Sequence, residues 1–286
     1  MVSPNICIFA NFFIDQEERF FRLQDSFNSL VGLNPNEWRI NVRGRFKDHV
    51  RDFLMTKKLK NIKITSIESK KGWFFDSIEI SKDITSELIF IWVEDHIALA
   101  SPEEIMESFY EMYQLGASQI PYSMWHEGSK KFYKKLHLVI KGEYVSIYKL
   151  DKVLFKKTKD TYIVSLPSLM TKDFFLQVLK MKKPYLKRWP RKVPFDFEKN
   201  IKDFDNLDFF ISFPNRELFC CIDDNHDQKS YSLIERGLYP NRISREALRE
   251  IEFGKSSNFL VKLINENKGA RAVKNFLRRL QYTLNI

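Results

Sequence analysis

The sequence predicts an α/β fold built on a mainly parallel sheet. As far as Leu115, short apolar runs that are typical of strands alternate with amphipathic segments that are typical of helices. Strands that alternate with helices need crossover connections, which join strands running in the same direction. Of the 286 residues, 44% are hydrophobic and 15% are aromatic, so the chain can bury a large core and is not expected to be disordered.

The first half divides into four strands, each followed by a helix. The fourth run, Leu88–Val93, is continuously apolar and rich in β-branched and aromatic residues, which predicts a strand buried on both faces. The helix after it begins at Ser101, a capping residue, with Pro102 at the first helical position. The other predicted elements are, in order, strand Asn5–Ala10, helix Asp15–Val31, strand Trp38–Val42, helix Arg45–Met55, strand Asn61–Ser66 and helix Trp73–Ser81.

The second half has a different pattern, which predicts an α+β part that continues from the first half without a linker. A turn at Lys141-Gly142-Glu143 joins two strand-like runs into a β-hairpin. The predicted elements are strands Leu136–Ile140, Tyr144–Leu150 and Thr161–Leu166, a helix at Lys172–Lys180, a loop at Lys182–Lys192, and helices at Gln228–Arg236, Ser244–Ile251, Asn258–Asn265 and Ala270–Leu284.

The net charge is +10, and much of it is near the carboxyl end of the chain. From Lys229 to Ile286 there are 12 Lys and Arg residues against 5 Asp and Glu, which favours a polyanionic partner or a phosphorylated substrate. The three cysteines form neither a CxxC motif nor a disulfide framework, and neither a signal peptide nor a membrane-spanning run is apparent. We therefore expect a cytoplasmic location.

The chemistry is expected at an acidic pair, Glu94-Asp95, which is followed by His96 at the end of the buried fourth strand. In open α/β sheets, ligands bind at the carboxyl ends of the strands. Carboxylates suit Mg²⁺ or Mn²⁺, which share their coordination with substrate phosphates. The alternative is an ordinary solvated strand end.

With this pair about 90 residues into a βα series, the chain resembles nucleotide-sugar glycosyltransferases of the GT-A fold, and particularly the family-two-like group. The resemblance covers roughly residues 5–200. It implies that Asp95 binds the metal on the sugar-nucleotide diphosphate and that Glu94 faces the ribose or the donor sugar. The chain departs from the family's Asp-x-Asp signature, because His96 occupies its third position. The implied organisation is a nucleotide-sugar-binding half, 1–118, continuous with an acceptor-binding half, 119–286.

The resemblance also implies a catalytic carboxylate about 100 residues after the metal motif. Glu198 is the favoured general base and Asp196 an alternative, although the two could simply begin a helix. A later acidic cluster offers His226 as a further metal ligand and Asp224 as another candidate base, and a polar surface turn is the competing interpretation.

Candidate nucleotide-binding residues follow the early strands. Arg43 and Arg45 flank Gly44, and guanidinium groups match phosphate geometry. Asn11 and Asp76 are candidates for binding the base, in a pocket for uracil or guanine. Exposed loop arginines and acids at helix starts are common, so these assignments compete with ordinary surface roles.

Two basic segments suggest contact with a membrane surface. The loop 182–192 interleaves six cations with two aromatic residues, and the last predicted helix places basic residues beside an apolar face. The same features also fit a solvated loop and a helix that packs on the core.

We therefore expect a metal-assisted, inverting glycosyltransferase that uses Mn²⁺ or Mg²⁺ to move a sugar from a nucleotide-diphosphate sugar to a hydroxyl acceptor. The acceptor would be a glycan or a lipid-linked molecule, as in polysaccharide biosynthesis. Neither a P-loop nor a Gly-x-Ser-x-Gly elbow occurs. The alternatives are a basic nucleic-acid-binding or nuclease-like protein, and a catalytically inactive GT-A binding module; we do not expect nucleic-acid binding.

Overall fold

A computed structural model describes residues 3–69, 72–121, 136–149, 167–180, 210–223 and 232–239, all of which lie in one compact unit. The strands are β1 Ile6–Phe13, β2 Glu37–Arg43, β3 Ile62–Thr65, β4 Leu88–Ile91, β5 His96–Ala98, β6 Gln119–Ile120, β7 His137–Lys141, β8 Val145–Lys149, β9 Ser168–Thr171, β10 Phe210–Pro214 and β11 Phe219–Cys221. The helices are α1 Glu17–Leu30, α2 Lys47–Thr56, α3 Trp73–Ser81, α4 Pro102–Gln114 and α5 Lys172–Lys180, and a 3₁₀ turn covers Val31–Leu33.

Nine of the described strands form one sheet in the order β3-β2-β1-β4-β9-β6-β10-β8-β7. Strands β1 to β4 are parallel to one another, and β9 pairs antiparallel to both β4 and β6. Following the pairings across the sheet, only β8 and β9 run against the other seven strands. The predicted α/β class with a mainly parallel sheet is therefore confirmed.

Side chains alternate between the two faces of the sheet, and helices cover each face. On β1, Ile8 and Ala10 belong to the core beneath α1, α2 and α4, whereas Cys7 and Phe9 belong to the core beneath α3 and α5. Strand β4 is buried on both faces, as its apolar sequence predicts.

The predicted helix Lys172–Lys180 is confirmed residue for residue, and the hairpin is confirmed to within one residue at each end. The predicted Ser101 cap is also present, since its hydroxyl accepts a hydrogen bond from the Glu104 amide at 3.2 Å. Strands β5, β6, β9, β10 and β11 were not predicted from the sequence. Over 232–239 the chain forms turns, not the predicted helix, and the predicted strand Thr161–Leu166 and the last three predicted helices lie outside the described residues.

No helix within the described ranges has the length and apolar character that crossing a membrane would require.

One carboxylate on α4 holds the turn of the β7–β8 hairpin to this helix. The Glu111 carboxylate accepts backbone hydrogen bonds from Glu143, Tyr144 and Val145, at 2.6 to 2.8 Å. A methyl group added at Gly142 would lie 2.6 Å from this carboxylate, so the glycine allows the close approach. The position of the turn therefore depends on the three backbone bonds to Glu111 and on the space that Gly142 leaves for this carboxylate.

We expect Glu111→Ala to lower the free energy of unfolding by about 2 kcal/mol, because three backbone N–H groups lose a charged acceptor. The matched control is Glu107→Ala, at an exposed position on the same helix, where a change within about 0.5 kcal/mol is expected. Chemical denaturation measures both variants. Equal stabilities would contradict the anchoring role of Glu111.

Candidate active site

The strand order places a crevice between the carboxyl ends of β1 and β4. From β1 the chain adds β2 and β3 on one side, and it then crosses back to place β4 on the other side of β1. At such a reversal the two connecting segments diverge, which leaves space outside the strand ends where ligands bind in open α/β sheets. Polar residues at these strand ends are therefore the candidate site.

The acidic pair lies on the β4 side of this crevice, as the sequence predicts. Pairing with β1 continues to Trp92, whose amide donates to the Phe9 carbonyl at 2.8 Å, and the chain then turns at Glu94 and Asp95. The Glu94 side chain is 12% exposed and that of Asp95 is 37% exposed. Asp95 is therefore the more accessible carboxylate of the two.

Arg19 and His96 contact the two carboxylates. Arg19 Nη1, on the first turn of α1, is 3.1 Å from Glu94 Oε1. His96 Nδ1 is 2.6 Å from Asp95 Oδ1, and the His96 ring is buried. Both carboxylates therefore have defined partners within the protein, and the Asp95 side chain is also partly exposed to solvent.

The two carboxyl groups have opposite pKa shifts. Burial and the neighbouring charge of Asp95 raise the pKa of Glu94, although Arg19 acts against this. Burial also disfavours ionisation of Asp95, but the contact with His96 outweighs it and holds the pKa of Asp95 below its usual value. Asp95 is consequently the carboxylate that stays ionised most readily.

Ser26 on α1 fixes the position of the turn that carries the pair. Its hydroxyl donates to the His96 carbonyl at 2.5 Å and accepts from Trp92 Nε1 at 2.8 Å. The end of β4 and the start of β5 are therefore attached to the helix that carries Arg19.

A third carboxylate, Asp223, approaches the pair through the short β5–β11 sheet. The Ile222 amide donates to the Asp95 carbonyl at 2.8 Å, which brings the end of β11 beside the turn. Buried Arg22 then holds Asp223 Oδ2 at 2.8 Å and Glu18 Oε1 at 3.2 Å. Asp223, Arg19 and Arg22 were not selected from the sequence. Arginines on an amphipathic helix usually face solvent, so their pattern gave no reason to select them.

On the other side of β1, polar residues lie near the carboxyl ends of three adjacent strands. Asn11, Asn41 and Thr65 are register partners across β1, β2 and β3. The Asn11 amide donates to the Trp73 carbonyl at 3.2 Å and to Ser77 Oγ at 3.0 Å, and its oxygen accepts from Asn41 at 2.9 Å. Asn11 thus holds β1 against α3, and its predicted contact with a base would compete with these bonds.

Arg43 and Asp76, on this side of the described structure, each have a buried polar atom without a hydrogen-bond partner. Asp76 is 1% exposed; its Oδ1 accepts from the Ser69 amide at 3.2 Å, while Oδ2 has no hydrogen-bond partner within the described structure. Arg43 Nε is likewise buried without a partner among the described residues. Burial lowers the pKa of Arg43, although the charges of Asp76 and Glu68 oppose this shift.

Arg45 points to solvent and lies over the Phe46 ring, 4.9 Å from its centroid. Gly44 between the two arginines has φ +92°, and a Cβ there would lie 2.5 Å from the Ile14 carbonyl oxygen. The glycine is therefore required by the backbone of Ile14, quite apart from any phosphate.

The donor set at the acidic pair fits a hard divalent cation that shares its coordination with phosphate. Glu94 and Asp95 supply carboxylate oxygens, and Mg²⁺ is commonly held by one or two carboxylates plus substrate phosphates. Among the described residues, no three His, Cys, Asp or Glu side chains cluster closely enough to hold a metal by themselves. The predicted ligand His226 lies outside the described residues, as do Glu198, Asp196, Asp224 and the loop 182–192.

Comparison with protein families and with curated proteins gives no match. Among solved structures, the chain is similar to a fragment of S. aureus TarS, residues 1–349, with 10% identity and a TM-score of 0.47, over 75% of this chain and 59% of that one. It is similar to the mannosyltransferase PcManGT from Pyrobaculum calidifontis in complex with GDP-Man and Mn²⁺, with 9% identity and a TM-score of 0.42, over 62% of this chain and 47% of that one. The chain thus spans less than two thirds of either protein.

It is also similar to a UDP-glucose pyrophosphorylase complexed with UDP-glucose, with 12% identity and a TM-score of 0.43, over 74% of this chain and 90% of that one. The solved structures that this chain resembles therefore include proteins complexed with nucleotide sugars.

Proposed function

We propose that this protein is a glycosyltransferase that moves a sugar from a nucleotide-diphosphate sugar to a hydroxyl acceptor, with metal assistance and inversion at the sugar. The observation that carries the proposal is the acidic pair at the end of β4, beside the point where the strand order reverses. The resemblance of the sequence to the GT-A group supports the same function.

The diphosphate would lie over the ends of β1 and β4. Asp95 would hold Mn²⁺ or Mg²⁺, with Glu94 beside it facing the ribose or the donor sugar, and the cation would supply charge stabilisation to the departing diphosphate. Arg45, which is exposed after β2, would attract the anionic donor to this edge of the sheet. The protein's own residues thus bind the donor and stabilise its leaving group.

The nucleoside would occupy the side of β1 that faces α3. A uracil or guanine edge offers both an N–H donor and a carbonyl acceptor, which complement Asp76 Oδ2 and the Arg43 guanidinium. The Asn11–Asn41 network would hold the wall of this pocket in place. This pairing gives the two buried polar atoms a role.

The remaining assignments are proposals from the sequence. Glu198 would remove the proton from the acceptor hydroxyl, with Asp196 and Asp224 as alternatives, and His226 would complete the metal shell. The acceptor would be a glycan or a lipid-linked molecule, reached through peripheral membrane contact of the loop 182–192 and the C-terminal helix in the cytoplasm.

Turnover of a panel of nucleotide sugars tests the function. Purified protein with Mn²⁺ and candidate glycan acceptors is expected to release the nucleoside diphosphate from one of the UDP or GDP sugars, together with a glycosylated product. Nucleotide binding without release from any sugar would favour an inactive binding module. Binding of oligonucleotides with a steep salt dependence, without nucleotide binding, would favour the nucleic-acid alternative.

We expect Asp76→Asn to weaken nucleoside binding by about tenfold while leaving the protein folded, since the ligand loses a charged acceptor but the Ser69 bond can persist. Asp52→Asn, at an exposed position on α2, is the control and should bind as the wild type does. Calorimetry with uridine and guanosine provides the measurement. Unchanged affinity in Asp76→Asn would remove this residue from the proposed pocket.

A further inference from the structure

Arg19 and Arg22 lie one turn apart on α1, and both contact acids at the crevice, but their environments differ. Arg22 has an 8% exposed side chain and binds two carboxylates, Asp223 and Glu18. Although burial opposes it, these two acids raise the pKa of Arg22. Arg22 is therefore a fixed structural cation that joins α1 to the end of β11.

Arg19 instead lies at the border between protein and solvent. Its side chain is 42% exposed, whereas its partner Glu94 is 12% exposed, so the carboxylate is shielded from water and the guanidinium is not. The guanidinium is therefore accessible to a ligand that enters from solvent, and it could exchange Glu94 for such a ligand if the carboxylate were compensated in turn.

Such a change requires a ligand with charges of both signs. If Arg19 left Glu94, a largely buried carboxylate beside Asp95 would lose its compensating cation, which is costly. A divalent cation bound to a diphosphate meets both needs: the metal compensates the carboxylates, and the phosphate oxygens accept hydrogen bonds from the guanidinium fork.

We propose that Arg19 is a binding residue for the diphosphate of the ligand, and that it exchanges Glu94 for phosphate oxygens when a metal–diphosphate complex enters the crevice. The inference rests on the proposed function. It adds Arg19 as a binding residue and a coupling between the binding of the metal and that of the diphosphate. Metal and diphosphate should then bind cooperatively. The metal compensates the carboxylate that Arg19 leaves, and the diphosphate gives Arg19 its new partner.

Calorimetry with inorganic pyrophosphate, UDP and GDP, each with and without Mn²⁺, tests this exchange. With Mn²⁺, Arg19→Ala should bind pyrophosphate and the preferred nucleoside diphosphate about tenfold more weakly or worse, because charge-assisted hydrogen bonds are lost. Its affinity for uridine and guanosine should equal that of the wild type. Arg51→Ala is the matched control, because Arg51 is an exposed arginine that pairs with Asp48 on α2.

Glu94→Gln distinguishes an Arg19 that exchanges its partner from an Arg19–Glu94 pair that has only a structural role. Without metal, this variant should bind pyrophosphate about threefold more tightly than the wild type or better, because Arg19 is released from its carboxylate. The gain should vanish when Arg19→Ala is added. If the Arg19–Glu94 pair only stabilised α1, Glu94→Gln would show no gain in pyrophosphate affinity that depends on Arg19.

Two outcomes would overturn the inference, and they differ from failure of the function. If the wild type binds a nucleoside diphosphate and Arg19→Ala binds it equally well, or if Glu94→Gln gives no gain, Arg19 has no such role although the function stands. If the wild type binds neither pyrophosphate nor any nucleoside diphosphate under any condition, the inference and the proposed function fail together.

Discussion

Asp95→Asn is expected to lower turnover of the nucleotide sugar by roughly a thousandfold, the largest functional effect that the structure leads us to expect. The variant keeps an oxygen that can accept the hydrogen bond from His96, so the turn should persist. It removes the negative charge that would hold the cation on the leaving diphosphate. Steady-state release of nucleoside diphosphate, measured over a range of Mn²⁺ concentrations, determines the loss.

Asp83→Asn is the matched control, because Asp83 is an exposed aspartate that precedes β4 at the opposite edge of the sheet and pairs with Lys63. Its turnover should equal that of the wild type. Full turnover in Asp95→Asn would contradict the assignment of the acidic pair as the metal site.

The largest loss of stability is expected from Glu37→Gln, at the amino end of β2. The Glu37 side chain is fully buried, and its Oε1 accepts hydrogen bonds from the backbone amides and hydroxyls of Thr85 and Ser86, at 2.5 to 3.2 Å. Its Oε2 lies 2.6 Å from Arg39 Nη2. Neutralising one member of this buried pair leaves Arg39 uncompensated, so we expect a loss of about 3–5 kcal/mol in the free energy of unfolding.

The stabilising effect of Glu37 should also depend on pH. Burial alone would raise the pKa of Glu37, but the bonds from Ser86 and Thr85 and the charge of Arg39 outweigh it and lower this pKa. The contribution is therefore fully present above the unfolded-state pKa of about 4.5 and is lost as pH falls through the lower folded-state pKa. The stability difference between wild type and Glu37→Gln should be constant near neutral pH and shrink below about pH 4.5.

Urea denaturation at several pH values measures this difference. Glu79→Gln is the control, because Glu79 is exposed and pairs with Lys82 on the surface of α3, where a change within about 0.5 kcal/mol is expected. A difference for Glu37→Gln that stays small at neutral pH would show that the charge of Glu37 contributes little to the stability of the fold.

The first half of the fold follows from the sequence because its elements are long and periodic. The run Leu88–Ile91 is apolar on both faces and therefore identifies a central strand, and Ser101 marks the start of α4. Strands β6 and β11 have two and three residues, too short for alternation to appear. Strand β9 joins the sheet through partners far away in sequence, which local patterns do not encode.

The candidate site likewise has a part that the sequence predicts and a part that depends on tertiary packing. The sequence places Glu94 and Asp95 at the end of a buried strand, where the structure has them, because such a strand can carry charge only at its end; their role as a metal site stays a prediction. The contacts of Arg19 and Arg22 depend on how α1 packs against β5, and Asp223 reaches the site only through the β5–β11 pairing. Asn11 was expected to face a ligand, but the α3 packing gives its amide two partners within the protein.

Calorimetric titration of the wild-type protein with nucleoside diphosphates, with and without Mn²⁺, tests the central claim most directly. The account predicts that UDP or GDP binds with one-to-one stoichiometry, and that Mn²⁺ strengthens this binding by about tenfold or more. Failure of both UDP and GDP to bind in the presence of Mn²⁺, in a protein that is folded by circular dichroism, would contradict it.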